Sequence, residues 1–195
     1  MKKLNSLLLM FTLLVSLVTF SEEVPVVEDP VKVIQSTIVK LNKLTTATVY
    51  SSQMMEFLVD QEISPLFDFE YIAREVLSAS YLTLGEEESV FFANKLKKNI
   101  VSTLLSKLAQ RRMGSLNFMS ARPTIYRNII VKLKAKGYGY SQFGLNLDLS
   151  FHKNKSGKWQ IFDVALDHDS VVNYYQRMVR SKVRRYGIYG MLGRI

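Results

Sequence analysis

The sequence predicts an α+β domain in which amino-terminal helices pack on a curved antiparallel sheet of about four strands, closed by a carboxy-terminal helix. Three observations carry that reading. Apolar residues recur at helical spacing through the first half of the chain. From about residue 129 the period shortens to two, as in strands with one dry and one wet face. Beyond residue 169 the helical period returns.

The first segment reads as an export signal. Lys2 and Lys3 precede an apolar run from Leu7 to Phe20, short of the about 20 residues that span a bilayer core. Thr19 and Ser21 offer small side chains for cleavage before Glu22. Residues 1–21 are therefore expected to be a cleaved signal peptide, with an uncleaved anchor as the alternative. Residues 22–29, acidic and containing Pro25, read as a flexible leader, and 30–195 as one domain. No later apolar run approaches membrane length, so the exported chain is expected to be soluble. Cysteine is absent, which excludes disulfides, thiolate metal sites, a cysteine nucleophile and a lipid-modified amino terminus.

Four helices come first. Asp29 can cap the first and Pro30 suits its opening turn, before a stripe of Val33, Ile34, Ile38, Leu41 and Leu44. The second runs from about Ser52 to Ile63, carries Met54, Met55, Leu58 and Ile63, and is closed by Pro65. Asp68 caps a third through about Ser78. The fourth has Glu86, Glu87 and Glu88 at its start and Arg111 and Arg112 at its end, both favourable to the helix dipole. Its apolar face is Val90, Ala93, Leu96, Ile100, Leu104 and Leu108, and Gly114 is its expected stop.

Strands follow. One is expected from about Leu116 to Ser120. Ile129, Val131, Leu133 and Ala135 then alternate with Ile130, Lys132, Lys134 and Lys136. Phe143, Leu145, Leu147, Leu149 and Phe151 alternate with Gly144, Asn146, Asp148, Ser150 and His152. Asn154 to Gly157 is a turn, and Lys158 to Leu166 is the returning strand. Asp169 or Ser170 caps a last helix with the stripe Val172, Tyr175, Val179, Val183 and Tyr186. Gly187 ends it, and the tail to Ile195 adds a final turn or two.

Catalytic material is sparse. His152 lies on the polar side of its strand and reads as a solvated surface residue. His168, between Asp167 and Asp169, could join an acid–base cluster, but helix capping accounts for the group better. Asp163 could act as a general base; a hydrogen bond to nearby backbone or an arginine is the stronger reading. Gly137-Tyr-Gly139 lacks the lysine and helix of a phosphate loop. No metal or cofactor is implied.

Charge is more informative. The net charge of +9 becomes +7 when Lys2 and Lys3 are lost, which favours anionic lipid or acidic protein partners. Export makes nucleic acid the weakest candidate. Lys97, Lys98, Arg111 and Arg112 form one basic cluster, and Arg180, Arg184 and Arg185 belong to another. Both fit a docking surface toward membrane or an acidic partner, or simply solvated helix faces.

Three segments carry a resemblance. They are Asp60-Gln-Glu-Ile-Ser-Pro-Leu-Phe67 running into Phe69-Glu-Tyr-Ile-Ala-Arg-Glu-Val-Leu77, then Gly157-Lys-Trp-Gln-Ile-Phe-Asp-Val164, and Asp169-Ser-Val-Val-Asn-Tyr-Tyr-Gln-Arg177. In order and spacing they resemble the MlaC-like toluene-tolerance family of ABC-transporter auxiliaries. The chain departs from that pattern at His168-Asp169-Ser170 and at Tyr175. The resemblance implies a periplasmic carrier with an NTF2-like, cone-shaped pocket, holding a diacyl phospholipid as cargo; the chain is expected to be monomeric or weakly associating. It also implies exchange between an outer-membrane lipoprotein complex and an inner-membrane ABC transporter, with transient contact at membrane surfaces and no catalysis.

The pocket expected on that basis lies between sheet and helices. Its expected lining is Leu58, Phe67, Ile100, Leu104, Val131, Leu133, Leu147, Leu149, Phe162 and Val164. Periodicity alone cannot tell a pocket from a filled core, since both use these residue types. An exported interaction module with a filled core, or a small α+β enzyme using an Asp or His base, are the rival readings.

Overall fold

The computed structural model describes residues 28–46, 55, 57–110, 113–137 and 144–195. The expected signal peptide, most of the leader, Arg111, Arg112, Phe143 and the start of the second expected helix lie outside the described residues. Helix α1 is Pro30–Thr46, α2 is Phe69–Ser78, α3 is Glu86–Gln110 and α4 is Val171–Leu192. A π-helical turn, Val59–Ile63, runs into a 3-10 turn, Ser64–Leu66, where the second helix was expected to close.

The sheet is antiparallel and in sequence order, β1-β2-β3-β4-β5. Its strands are β1 (Met113–Pro123), β2 (Ile129–Gly137), β3 (Leu145–Lys153), β4 (Trp159–Leu166) and the two-residue β5 (Asp169–Ser170). Short β5 is the addition to the four expected strands. Gly114, expected to stop the preceding helix, falls inside β1.

Register places one apolar face together. Val131 lies opposite Leu149, Leu133 opposite Leu147, and Leu149 opposite Val164, all buried. The opposite face carries Lys132, Lys134, Asn146 and Asp148, and Lys132 reaches Asp148 at 3.9 Å. The buried core continues from the sheet into Ile34 and Leu41 of α1, Phe92, Leu96, Ile100 and Leu104 of α3, and Val172, Tyr175 and Val179 of α4. Asn42 ties α1 to the sheet, accepting from Leu116 N at 2.6 Å and donating to Leu116 O at 3.2 Å.

Two stripes differ from expectation at their ends. Val90 is 56 % exposed and Phe92 takes its place in the core. Tyr186 is exposed under the Arg194 guanidinium, 4.4 Å from its ring centroid. The cause is Gly187, which breaks α4 with φ 68° and ψ −178°. That region is open to glycine almost alone, so the helix turns here and Met191 and Leu192 return to the core.

Candidate functional site

A cleft of about 810 Å³ opens between α2, α3 and the β3–β4 turn. Its assembly starts at the segment Pro65–Phe67. Phe67 bridges Ile161 in parallel, Asp68 N donates to Ile161 O at 3.0 Å, and Gln160 Nε2 donates to the carbonyls of Pro65 and Phe67. Asn154 holds Gln160 in turn through a 2.6 Å bond, so the β3–β4 turn is laced to the chain that enters α2. The Asp68 carboxylate then caps α2, accepting from Tyr71 N at 2.9 Å. The third wall is the start of α3, where Glu88 accepts from Gly85 N at 3.0 Å.

The cleft has an oily floor and a charged rim. Phe67 and Phe69 stack with centroids 5.3 Å apart, and Ala73, Leu77, Val90 and Ala93 continue the apolar surface. Around them stand Asp68, Glu70 and Glu86, and the cations Arg74, Lys97 and Lys155. Opposite charges are thus equally represented, and the site is not a simple anion trap. Lys97 is also held by Asp60 at 3.2 Å, and Arg74 sits 5.5 Å above the Tyr71 ring.

Of the ten residues expected to line a pocket, Phe67 does line this cleft. Ile100, Leu104, Val131, Leu133, Leu147, Leu149 and Val164 belong to the buried core behind it. Leu58 is half-buried, and so is Phe162. Phe162 departs from the expected face because the β3–β4 register shifts between Ser150 and Phe151. Ile161 and Val164 therefore both face the core, and the Phe162 ring meets His152 and Tyr71 on the other side. The apolar cleft residues not foreseen are Phe69, Ala73, Leu77, Val90 and Ala93. Two alanines on facing helices leave room between them, and that is the signal the sequence offered.

His152 corrects a second expectation. It is 7 % exposed, not solvated, because Tyr71 of α2 covers it at 4.2 Å between ring centroids. Burial pushes its pKa below the usual value, while the Asp68 carboxylate, 3.1 Å from Nε2, pulls the other way. Nε2 is not aligned for a hydrogen bond there. A depressed folded-state pKa means that the unfolded chain binds the proton more readily. Stability attributable to His152 is full above about pH 6.5 and declines as pH falls toward the folded value. Urea unfolding between about pH 5 and 7.5 should show this slope, and His152→Phe should flatten it.

The candidate bases are accounted for without chemistry. Asp163 accepts from Val164 N, Val172 N and Ser170 Oγ, at 2.8, 3.1 and 2.6 Å, and so ties β4 to the start of α4. Ser170 is the cap of α4, accepting from Asn173 N. Asp167 and His168 are not caps. Their φ values of 48° and 77° make them the tight turn between β4 and β5, and His168 is exposed. Among the described residues no three potential metal ligands come together, and no helix is long and apolar enough to cross a membrane.

Residues 31–195 match the family model described as "MlaC protein". The chain belongs to the MlaC family. A solved structure described as a phospholipid-binding protein from Ralstonia solanacearum, in complex with a phospholipid, has the same fold: TM-score 0.63, 18% identity, covering 84% of this chain and 90% of that one. No curated protein matches the sequence. The MlaC match takes in all three segments that carried the resemblance, and with them the floor and rim of the cleft.

The basic residues expected on a docking surface divide. Lys97 is a cleft residue, whereas Lys98, Arg180, Arg184 and Arg185 are exposed on α3 and α4. Arg180 donates to Ala79 O at 2.9 Å.

Proposed function

We propose that this protein is a periplasmic phospholipid carrier, exported by a cleaved signal peptide, and that the cleft between α2 and α3 receives the acyl tails. The single observation behind this reading is the cleft itself, an apolar floor under a mixed-charge rim, in a chain of the MlaC family. Its volume falls within the about 300–1,000 Å³ typical of ligand pockets. The related Ralstonia protein is described as phospholipid-binding and was solved with a phospholipid.

Energetics shape the mechanism. Each buried methylene contributes about 0.8 kcal/mol, so two tails with roughly 30 methylenes give about 24 kcal/mol gross. Non-covalent affinities level off near about 18–21 kcal/mol, so the net value is smaller. Release into water is nevertheless very slow. Cargo therefore passes directly between apolar surfaces on docking, to an outer-membrane lipoprotein complex on one side and an inner-membrane ABC transporter on the other. The buried sheet residues Val131, Leu133, Leu147, Leu149 and Val164, with Ile100 and Leu104 above them, form the second layer.

Native mass spectrometry of the purified protein tests the reading. Bound phospholipid, recovered after delipidation by incubation with vesicles, is the expected result; protein that stays bare throughout would refute carriage. Arg184→Glu with Arg185→Glu should slow transfer about ten-fold at low salt while leaving the amount of bound lipid unchanged. Stopped-flow transfer of a fluorescent phospholipid measures the first, and extraction of the purified variant the second.

A further inference from the structure

The β1–β2 hairpin carries two large apolar residues where turn tips are ordinarily polar. Ile125 is 90 % exposed and Tyr126 78 % exposed, side by side at the tip. The loop that presents them is tightly built. Thr124 N donates to Asn128 O at 2.8 Å, Arg127 N to Thr124 O at 3.1 Å, and Asn128 N to Thr124 Oγ1 at 3.3 Å. Such a loop offers the two side chains without an ordering cost at the moment of contact.

Within the hairpin's own chain the charge has one sign, although Lys132, further along β2, is paired with Asp148 of β3. The segment from Met113 to Gly137 contains Arg122, Arg127, Lys132, Lys134 and Lys136 and no acidic residue. Arg122 and Arg127 flank the tip and are exposed. Strand register extends this field across the sheet. Ile129 at the start of β2 pairs with Phe151 near the end of β3, so the β1–β2 and β3–β4 turns lie at one end of the sheet. The second turn adds Lys153, Lys155 and Lys158, all exposed, with one carboxylate among them, Glu28, accepting from Trp159 N at 2.9 Å. Two strand spacings, about 10 Å, separate the turns. Lys155 and its neighbours Asn154 and Ser156 also line the cleft.

We propose that this end of the sheet docks on an anionic bilayer surface, with Ile125 and Tyr126 entering the interface and the flanking cations meeting acidic head groups. Tyrosine suits that depth because its ring is apolar and its hydroxyl wet. Two shallow anchors and a few cations give weak, reversible attachment, which suits a protein that must leave again. Docked in this way, the β3–β4 wall of the cleft faces the lipid. This surface is distinct from the basic helix faces of α3 and α4. It goes beyond the carrier reading and does not require it, since attachment is measurable whatever the cleft contains.

Co-sedimentation with vesicles of phosphatidylethanolamine and phosphatidylglycerol tests the proposal, with phosphatidylcholine vesicles as the neutral control. The protein should bind the anionic vesicles, and about 1 M salt, where the screening length is about 3 Å, should remove most of that binding. Arg122→Gln with Arg127→Gln should weaken it roughly ten- to thirty-fold. Ile125→Ser with Tyr126→Ser should weaken it about ten-fold or more. All four side chains are exposed, so thermal unfolding should be unchanged, and the two double variants check each other. Equal binding by all three proteins overturns the proposal. So does a failure to bind anionic vesicles at all, the outcome expected if the tip instead meets an acidic protein. Bound cargo, read by native mass spectrometry, should be the same in each. Vesicle attachment by a protein that never holds lipid would leave this docking surface standing and remove the carrier function.

Discussion

Asp163→Ala is expected to lower folding stability by about 3 kcal/mol, since it strips the acceptor from two backbone N–H groups and a serine hydroxyl at once. Hydrogen bonds to a charged group contribute about 1.5–3 kcal/mol each, and the orphaned donors at Val164, Ser170 and Val172 are partly buried, so full loss of all three is not recovered from water. Asp163→Asn keeps one acceptor oxygen and should cost roughly half as much. Urea unfolding midpoints read both values directly. The structural position of Asp163, joining β4 to the first turn of α4, favours the large loss.

A change in the cleft is expected to act on cargo, not on folding. Val90 lines the cleft yet is 56 % exposed, so Val90→Trp projects an indole across the opening at little cost to the core. Combined with Phe69→Gln, which places an amide on the apolar floor at a half-buried position, it should reduce co-purifying phospholipid by about ten-fold or more, because a polar group buried against hydrocarbon without a partner costs about 1–3 kcal/mol. Quantitative lipid extraction from equal amounts of protein measures the loss. The single Val90→Trp variant separates blocking from destabilisation, since its unfolding midpoint should match the parent. Undiminished cargo in the double variant would place the tails elsewhere.

Local chemistry was legible in the sequence where one element decides it. Asp68 capping α2, Ser170 capping α4, the Asn154–Gly157 turn and the break at Gly187 all follow from short-range rules, and each stands where those rules put it. Alternation in β2 and β3 likewise gave the faces of Val131, Leu133, Leu147 and Leu149. What failed needed two elements at once. His152 alternates with apolar neighbours and so reads as wet, but α2 lies across that end of the sheet and buries it. Phe162 reads as a core residue until one extra residue in β4 turns it to the other face. The cleft was hidden for the same reason, since it exists only where α2, α3 and the β3–β4 turn meet.

Anomalous diffraction from crystals grown with a phospholipid brominated along its tails measures the position of the cargo itself. The expected bromine peaks lie between α2 and α3, over Phe67, Phe69, Ala73 and Ala93, with the phosphate toward the rim of Arg74, Lys97 and Lys155. Bromine found only on the outer surface, or none in a protein saturated with the lipid, would contradict a cleft that carries acyl chains.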